Sequence, residues 1–484
     1  MQIFRFITRK NIPSLILWLL IIGFSVYFIF VAISRHDNFH SRRLDLGNME
    51  QTVWNIAHGN GFTLTDPMGT ENISRLAVHA DYLLYFMVPF YKLWEDPRIL
   101  IIVQTIVICL GALPIYWIAA DRLKNKYIAL IFAAAYLLYP SVQRMMLHDF
   151  HAVALSMTLL LFAYWYMHGG RYGLFILFAA FAGLGKETVW IAVSLMGVYI
   201  AVFQQKKIIG VAVAGIAGFT FYYLFWHAIP GVTAGEQHFA LQYLSEFGDS
   251  QTNVILNILS RPFAVLGEFV KLDRLYYYYQ LLLPLGFLPL FSPFYMLFAA
   301  HSVLINALST NTHMRQIDYQ YTADIIPFLF VSAIEGFRFI RVKIQQLREK
   351  KYVAIRIITV CFAGCIVLAS YMWGELPLTG QDRFFYFIWE LPEKNTMKRV
   401  EERIAPMYTV SVTNNIGSHF AGRKYLYNFP VNALTADYAV VHTGDQYAWP
   451  SGNEQRRVVE ELLKSPSHTL IARDGEFYAF ERKR

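Results

Sequence analysis

The chain has 484 residues, of which 56% are hydrophobic and 17% aromatic, well above the apolar share of water-soluble domains. A net charge of +8 could suit nucleic acid, but the basic residues sit in short connectors between apolar runs and from Arg338 to Lys351, as membrane topology requires and nucleic-acid binding does not. Cys109, Cys361 and Cys365 all fall inside apolar runs, so neither a disulfide framework nor a cysteine zinc site is expected.

The first apolar run, Ile12 to Ser34, follows Arg5, Arg9 and Lys10. It is too long for a secretory signal and no small-residue cleavage pattern follows it, so it predicts a retained span with a cytoplasmic N-terminus. Later runs predict spans near 98–120, 127–143, 152–168, 172–185, 188–203, 208–228, 276–291, 293–309, 322–338 and 353–373. At ~1.5 Å per residue, about 20 apolar residues cross ~30 Å of hydrocarbon. Counted alternately, the connectors holding Arg122, Lys124 and Lys126, then Arg171, then Lys206 and Lys207, then Arg338 to Lys351 all face the cytoplasm, which supports eleven crossings. The apolar stretch from Tyr82 to Trp94 is too short to cross, and counting it would turn every later basic connector outward. It is expected to be interfacial or re-entrant.

Beyond Gly374 the pattern changes. Tyr408 to Thr413 and Asp437 to His442 read as strands, Leu470 to Phe480 as a hairpin around Asp474-Gly475, and Glu393 to Ile404 and Asn453 to Lys464 as amphipathic helices. A membrane domain over 1–373, with its first outer loop at about 35–97, is therefore expected to carry a small extracytoplasmic α/β domain over 374–484.

The first outer loop is long and polar, as functional loops are. Asp45 lies just after the first span, with Trp54 and Asn55 one to three turns on. It fits either the start of a solvated helix or a carboxylate that meets a lipid-borne substrate and water together. His79 and Asp81, with His148, Asp149 and His151, place imidazoles and carboxylates at two outer helix entrances. Such groups can hydrogen-bond across helices, bind a divalent cation, or act as acid and base. Lys186 and Glu187 interrupt an apolar stretch flanked by short spans, which predicts a wet cavity where Lys186 meets a phosphate oxygen and Glu187 pairs with it or another cation. Arg315, Asp318, Tyr319 and Tyr321 form a further polar group outside a later span, and Tyr276 to Tyr279 read as an aromatic belt. Asn414-Asn415-Ile416-Gly417 reads as a strand-to-helix connection or a phosphate loop.

Arg43-Leu44-Asp45-Leu46-Gly47, the run Trp54 to Gly61, His79, His148-Asp149-Phe150-His151, Lys186-Glu187 and Tyr319 to Phe328 together resemble the uncharacterised prokaryotic membrane proteins of the DUF2079 family, over nearly the whole chain. That family is similar to the GT-C glycosyltransferase superfamily, whose members move sugars from polyprenyl-phosphate carriers at the outer membrane face and carry an acid in the first outer loop. The resemblance implies Asp45 as general base, with Lys186, Glu187, Arg42 and Arg43 at the donor phosphate. Trp54, Asn55, Arg315, Tyr319 and Tyr321 become pocket candidates, and His79, Asp81, His148, Asp149 and His151 can hold a divalent cation. It also implies a prokaryotic cytoplasmic membrane, a polyprenyl-phosphate-linked sugar, an acceptor the sequence does not name, and no nucleic acid. Two other classes compete: a secondary transporter, which would bind substrate at mid-depth between repeats, and a noncatalytic cell-envelope assembly or sensing protein working through its tail.

Overall fold

The computed structural model describes residues 12–233, 235, 238–380, 383–445 and 448–483. Arg5, Arg9 and Lys10, which carry the orientation of the first span, lie outside the described residues. The chain divides into two compact units: a helical one of Met1–Phe28, Thr105–His148 and Ala152–Arg383, and a mixed one of Ile29–Gln104, Asp149–His151 and Phe384–Arg484. The first outer loop thus belongs to the same unit as the tail.

Apolar runs become helices because a helix satisfies its own backbone where no water can. Among the described residues, four are individually long and apolar enough to cross a bilayer: Ile12–Asp37, Arg98–Leu123, Lys207–Val232 and Lys351–Trp373. Ala152–His168, Tyr172–Gly183, Val189–Phe203 and Ile326–Ile344 also fall on predicted spans. Their outward side chains are apolar, with Phe219 66%, Val360 69% and Val367 61% exposed, an arrangement that suits lipid and would be costly in water.

Proline breaks the other spans. The span expected at 127–143 bends by 45° between Lys126–Leu138 and Pro140–Leu147, since Pro140 lacks an amide hydrogen and Tyr139 before it is extended. The runs expected at 276–291 and 293–309 are interrupted likewise: helix Leu272–Leu282 gives way to 3-10 turns holding Pro284, Pro289 and Pro293, and helix resumes at Ala300–Leu308. Tyr82–Met87 is a 3-10 segment followed by the short helix Val88–Tyr91. Buried charge in the helical unit is paired, as a low dielectric demands. Arg122 pairs with Glu335, while Arg144 reaches Asp318 at 2.5 Å and the Trp373 carbonyl at 2.7 Å.

In the mixed unit, strands β1 (Thr63–Thr65) and β2 (Asn72–Ser74) form a small antiparallel hairpin. β3 (Val410–Val412), β4 (Leu426–Asn428), β5 (Tyr438–His442), β6 (His468–Asp474) and β7 (Phe477–Arg482) form a sheet in the order β4-β3-β5-β7-β6. β4, β3 and β5 run parallel; β7 is antiparallel to β5 and β6. Alternation sends Val410, Val412 and Val440 to one face with Met397 and Val400, and Ala439 and Val441 to the other with Val458, Val459 and Leu462. Helices Lys394–Arg403 and Gly452–Lys464 therefore cover opposite faces. The second is capped by Ser451, whose hydroxyl accepts the Glu454 amide at 3.2 Å.

The first outer loop docks where β3 ends. Arg43 N–H donates to the Asn414 carbonyl (2.8 Å) and Leu44 N–H to the Asn414 side chain (2.9 Å). A Cβ on Gly417 would sit 2.7 Å from Arg43 Cβ, so glycine is what lets the two segments approach. Asn414 to Gly417 thus serves as a connection that grips the loop.

Candidate functional site

Asp45 lies in the irregular helical turn Arg43–Gly47, and its carboxylate faces His151 Nε2 at 3.4 Å. The imidazole is aimed from behind: His151 Nδ1 donates to the Asp149 carbonyl at 2.8 Å, and the His151 amide to Gln104 at 2.8 Å. Asp149 is fixed in turn by the Arg35 guanidinium and by the Arg42 amide at 2.9 Å. The side chain of Asp45 keeps 29% exposure, against 0% for Asp149 and 4% for Asp81. Of these three acids, Asp45 is the most exposed.

Several neighbours are struts. Asp81 takes Arg75 through both Nε (3.0 Å) and Nη2, and the His79 amide donates to the Arg75 carbonyl at 3.1 Å. Arg43 is fully buried in the mixed unit and donates to the Leu426 carbonyl at 2.6 Å, while burial pulls its guanidinium down to about 10. Trp54 stacks on His58 at 4.0 Å, and Asn55 donates to the Thr63 carbonyl at 3.0 Å. Arg42 remains half-buried beside Asp149.

Beneath this turn, buried Glu50 accepts the Tyr91 hydroxyl at 2.9 Å, and burial raises its carboxyl well above the usual range. An acid whose folded value exceeds its unfolded one lends most stability below the unfolded value of about 4.5. That contribution drains as pH rises toward the folded value, because the unfolded chain releases its proton first. Glu50→Gln keeps an acceptor for Tyr91 and removes the titration. The expected result is a thermal midpoint that falls less between pH 5 and pH 8 than in the parent protein, read by a melting assay in detergent.

The helical unit holds a second cluster. Between helices Tyr172–Gly183 and Val189–Phe203, Gly183 packs so tightly on Trp190 that a Cβ would lie 2.5 Å from its ring. The turn that follows exposes Lys186 to a small cavity of mixed lining, where Thr188, Ser302, Asn306, Gln320 and Asp324 sit beside Val153, Ile305 and Met314. The Lys186 ammonium rides over the Tyr321 ring at 5.9 Å and has no hydrogen bond or ion pair among the described residues. Asp324 is occupied by the Ser302 hydroxyl and by His301 at 3.3 Å. The Glu187 carboxylate lies 3.5 Å from His238 Nε2. Tyr319 meets the edge of His148 at 5.3 Å. Arg315 is bound by Asp273 at 2.8 Å and by the Asn306 and Ser309 carbonyls, and so braces the loop that carries Tyr319 and Tyr321.

Sequence reasoning passed over Arg35, Gln104, Ser302 and Asp324. Arg35 ends a span and Asp324 opens one, so both read as boundary residues; only the fold reveals their partners.

The profile of a protein family described as Predicted membrane protein (DUF2079) matches residues 35–469. No curated protein matches the chain. Among solved structures, ArnT from Cupriavidus metallidurans bound to undecaprenyl phosphate superposes with a TM-score of 0.50 at 10% identity, covering 96% of this chain and 97% of that one. ArnT in its apo state gives 0.50 at 11% identity with the same coverage. At such identity the likeness shows the fold alone: a mostly helical, multi-pass membrane protein of GT-C architecture, as the sequence resemblance implied.

Proposed function

The chain belongs to the DUF2079 family of predicted membrane proteins, and from that premise we propose a glycosyltransferase that moves a sugar from a polyprenyl-phosphate donor to an acceptor hydroxyl at the outer membrane face. The observation that carries this reading is Lys186, a lysine without an ion pair among the described residues, facing a cavity of mixed lining in a unit built to sit in lipid. The Asp324 carboxylate shares that cavity and attracts the ammonium, but it is itself held by Ser302 and His301, so the ammonium keeps room to take up an anion. Undecaprenyl phosphate, named with the ArnT structure, is an anion of the expected kind.

In this reading Asp45, steered by His151, takes the proton from the acceptor oxygen as that oxygen bonds to the anomeric carbon. The bond from anomeric carbon to phosphate oxygen breaks, and the donor phosphodiester leaves as a phosphate monoester with one more negative charge, which a cationic side chain offsets. A single displacement inverts the anomeric centre. Arg42 serves the phosphate better than Arg43, which the mixed unit consumes. In this reading the N-terminus lies in the cytoplasm and the tail outside a prokaryotic cytoplasmic membrane, an orientation that the basic connectors support.

Two of the five candidate metal ligands, Asp81 and Asp149, are committed to arginines, whereas Asp45 and His151 are close enough to share one divalent cation. The test is transfer from a panel of polyprenyl-phosphate sugars by the reconstituted protein, with and without chelator. Transfer is expected to survive chelation. A rate abolished by chelator and restored by Mn²⁺ reassigns the Asp45–His151 pair to a cation that would supply charge to the leaving phosphate. Absence of transfer from every donor, with uptake into vesicles instead, favours a transporter.

A further inference from the structure

Residues 229–275 separate two expected spans and were assigned no place in the membrane by hydropathy. Two helices fill much of this stretch, Gln251–Ser260 and Pro262–Phe269. At ~1.5 Å per residue neither reaches beyond half-way across ~30 Å of hydrocarbon, so neither is a span. One side of the pair packs inward, with Val254, Ile258 and Val265 against Phe247, Leu304 and Leu308. A water-exposed hairpin would be polar on its other side. Here Leu256 is 57% exposed, Leu259 73%, Phe263 86%, Leu266 60% and Val270 66%, and Pro262–Phe269 buries none of its residues.

We propose that the hairpin of residues 251–272 is an interfacial element whose outer face is immersed in the acyl chains of the bilayer leaflet. Three observations say that lipid, rather than a protein partner, covers it. In sequence the pair lies between segments read as membrane-embedded, whose exposed side chains are apolar: Lys207–Val232 before it, with Phe219 66% exposed, and Leu272–Leu282 after it, with Leu275 46% and Tyr276 54% exposed. Cations mark its turn and its C-terminal end, with Arg261 exposed between the helices and Lys271 paired to Glu268 at 2.6 Å, where phospholipid headgroups would meet them. Tyr276 and Tyr279 follow at the position of an aromatic belt.

The placement bears on the cavity. Helix Ala300–Leu308 turns Ser302, Ile305 and Asn306 to the Lys186 cavity and Leu304 and Leu308 to the hairpin. The hairpin therefore forms a lipid-facing rim one helix away from Lys186. If the glycosyltransferase reading holds, this is where a lipid-linked donor enters, but the immersion of the hairpin stands without it.

The test uses the native chain in phosphatidylcholine nanodiscs, labelled in parallel with a diazirine on a phospholipid acyl chain and with a water-soluble diazirine. Adducts are then mapped by mass spectrometry. The lipid-borne probe is expected to mark residues 255–272 at least fivefold more than the aqueous one, with the opposite ratio on the Gly452–Lys464 helix. Aqueous labelling of 255–272 equal to that of Gly452–Lys464 would overturn the proposal, whatever the outcome for sugar transfer.

Discussion

Lys186→Met is expected to weaken binding of a polyprenyl phosphate by about 10- to 100-fold, the range for losing a charge-assisted hydrogen bond in a poorly hydrated site. The folded protein should lose no stability. Those two outcomes together are diagnostic, because Lys186 has no ion pair or hydrogen bond among the described residues that its removal would break. Methionine keeps an unbranched apolar stem against Tyr321 and removes a charge that is costly to hold in lipid, which offsets the attraction withdrawn from Asp324, so the melting temperature should stay near the parent value. Lys186→Arg retains the charge but carries a wider, planar head into a small cavity, and intermediate affinity is expected. The measurement is titration with undecaprenyl phosphate by native mass spectrometry, beside a melting curve for each variant. Unchanged affinity in Lys186→Met would remove the donor phosphate from this cavity. A large loss of stability would instead make the lysine a structural group.

Most of the fold was legible in the sequence because the bilayer writes a coarse code. Ala152–His168 was read to the residue, since no Asp, Glu, Lys or Arg lies between His151 and the Gly169-Gly170 turn. The tail was legible for a different reason: alternation around Val410–Val412 and Tyr438–His442, and an Asp474-Gly475 turn with glycine at φ +49, are local signals. Hydropathy failed at 276–309, where Pro284, Pro289 and Pro293 break helices that remain apolar throughout. It also failed at the 251–272 hairpin, whose helices are shorter than any span. Within the candidate site, ionisable residues in apolar surroundings were easy to find, which is how Lys186 and Glu187 stood out. Their partners were not, because contacts such as Asp324 with His301, or Asp149 with Arg35, join residues 23 and 114 positions apart, or nearly so, with no periodicity to betray them. Neither could sequence tell a strut from a reactive group. Asp45, Asp81 and Asp149 look alike in the chain, and only burial and arginine pairing separate them.

That separation sets the second expectation. Asp45→Asn should lower the rate of sugar transfer by about 10²- to 10⁴-fold, the usual contribution of a positioned general base, while leaving donor-lipid affinity and melting temperature near the parent values. The side chain is partly exposed, so an amide can take its place without stranding a buried partner. Asp149→Asn should behave otherwise. It leaves the Arg35 guanidinium, only 10% exposed, without its counter-charge, and loss of one partner of a buried pair costs about 3–5 kcal/mol. It also loosens the carbonyl that aims His151, so rate and stability should fall together. His151→Gln tests the steering itself: a smaller loss in rate than Asp45→Asn, with donor affinity intact, follows if the imidazole orients the carboxylate rather than receiving the proton. Transfer measured with a saturating donor isolates the chemical step from binding, so the three variants need not be compared through stability alone. An Asp45→Asn protein that transfers sugar at the parent rate would move the proton acceptor elsewhere, even with Lys186 confirmed at the phosphate.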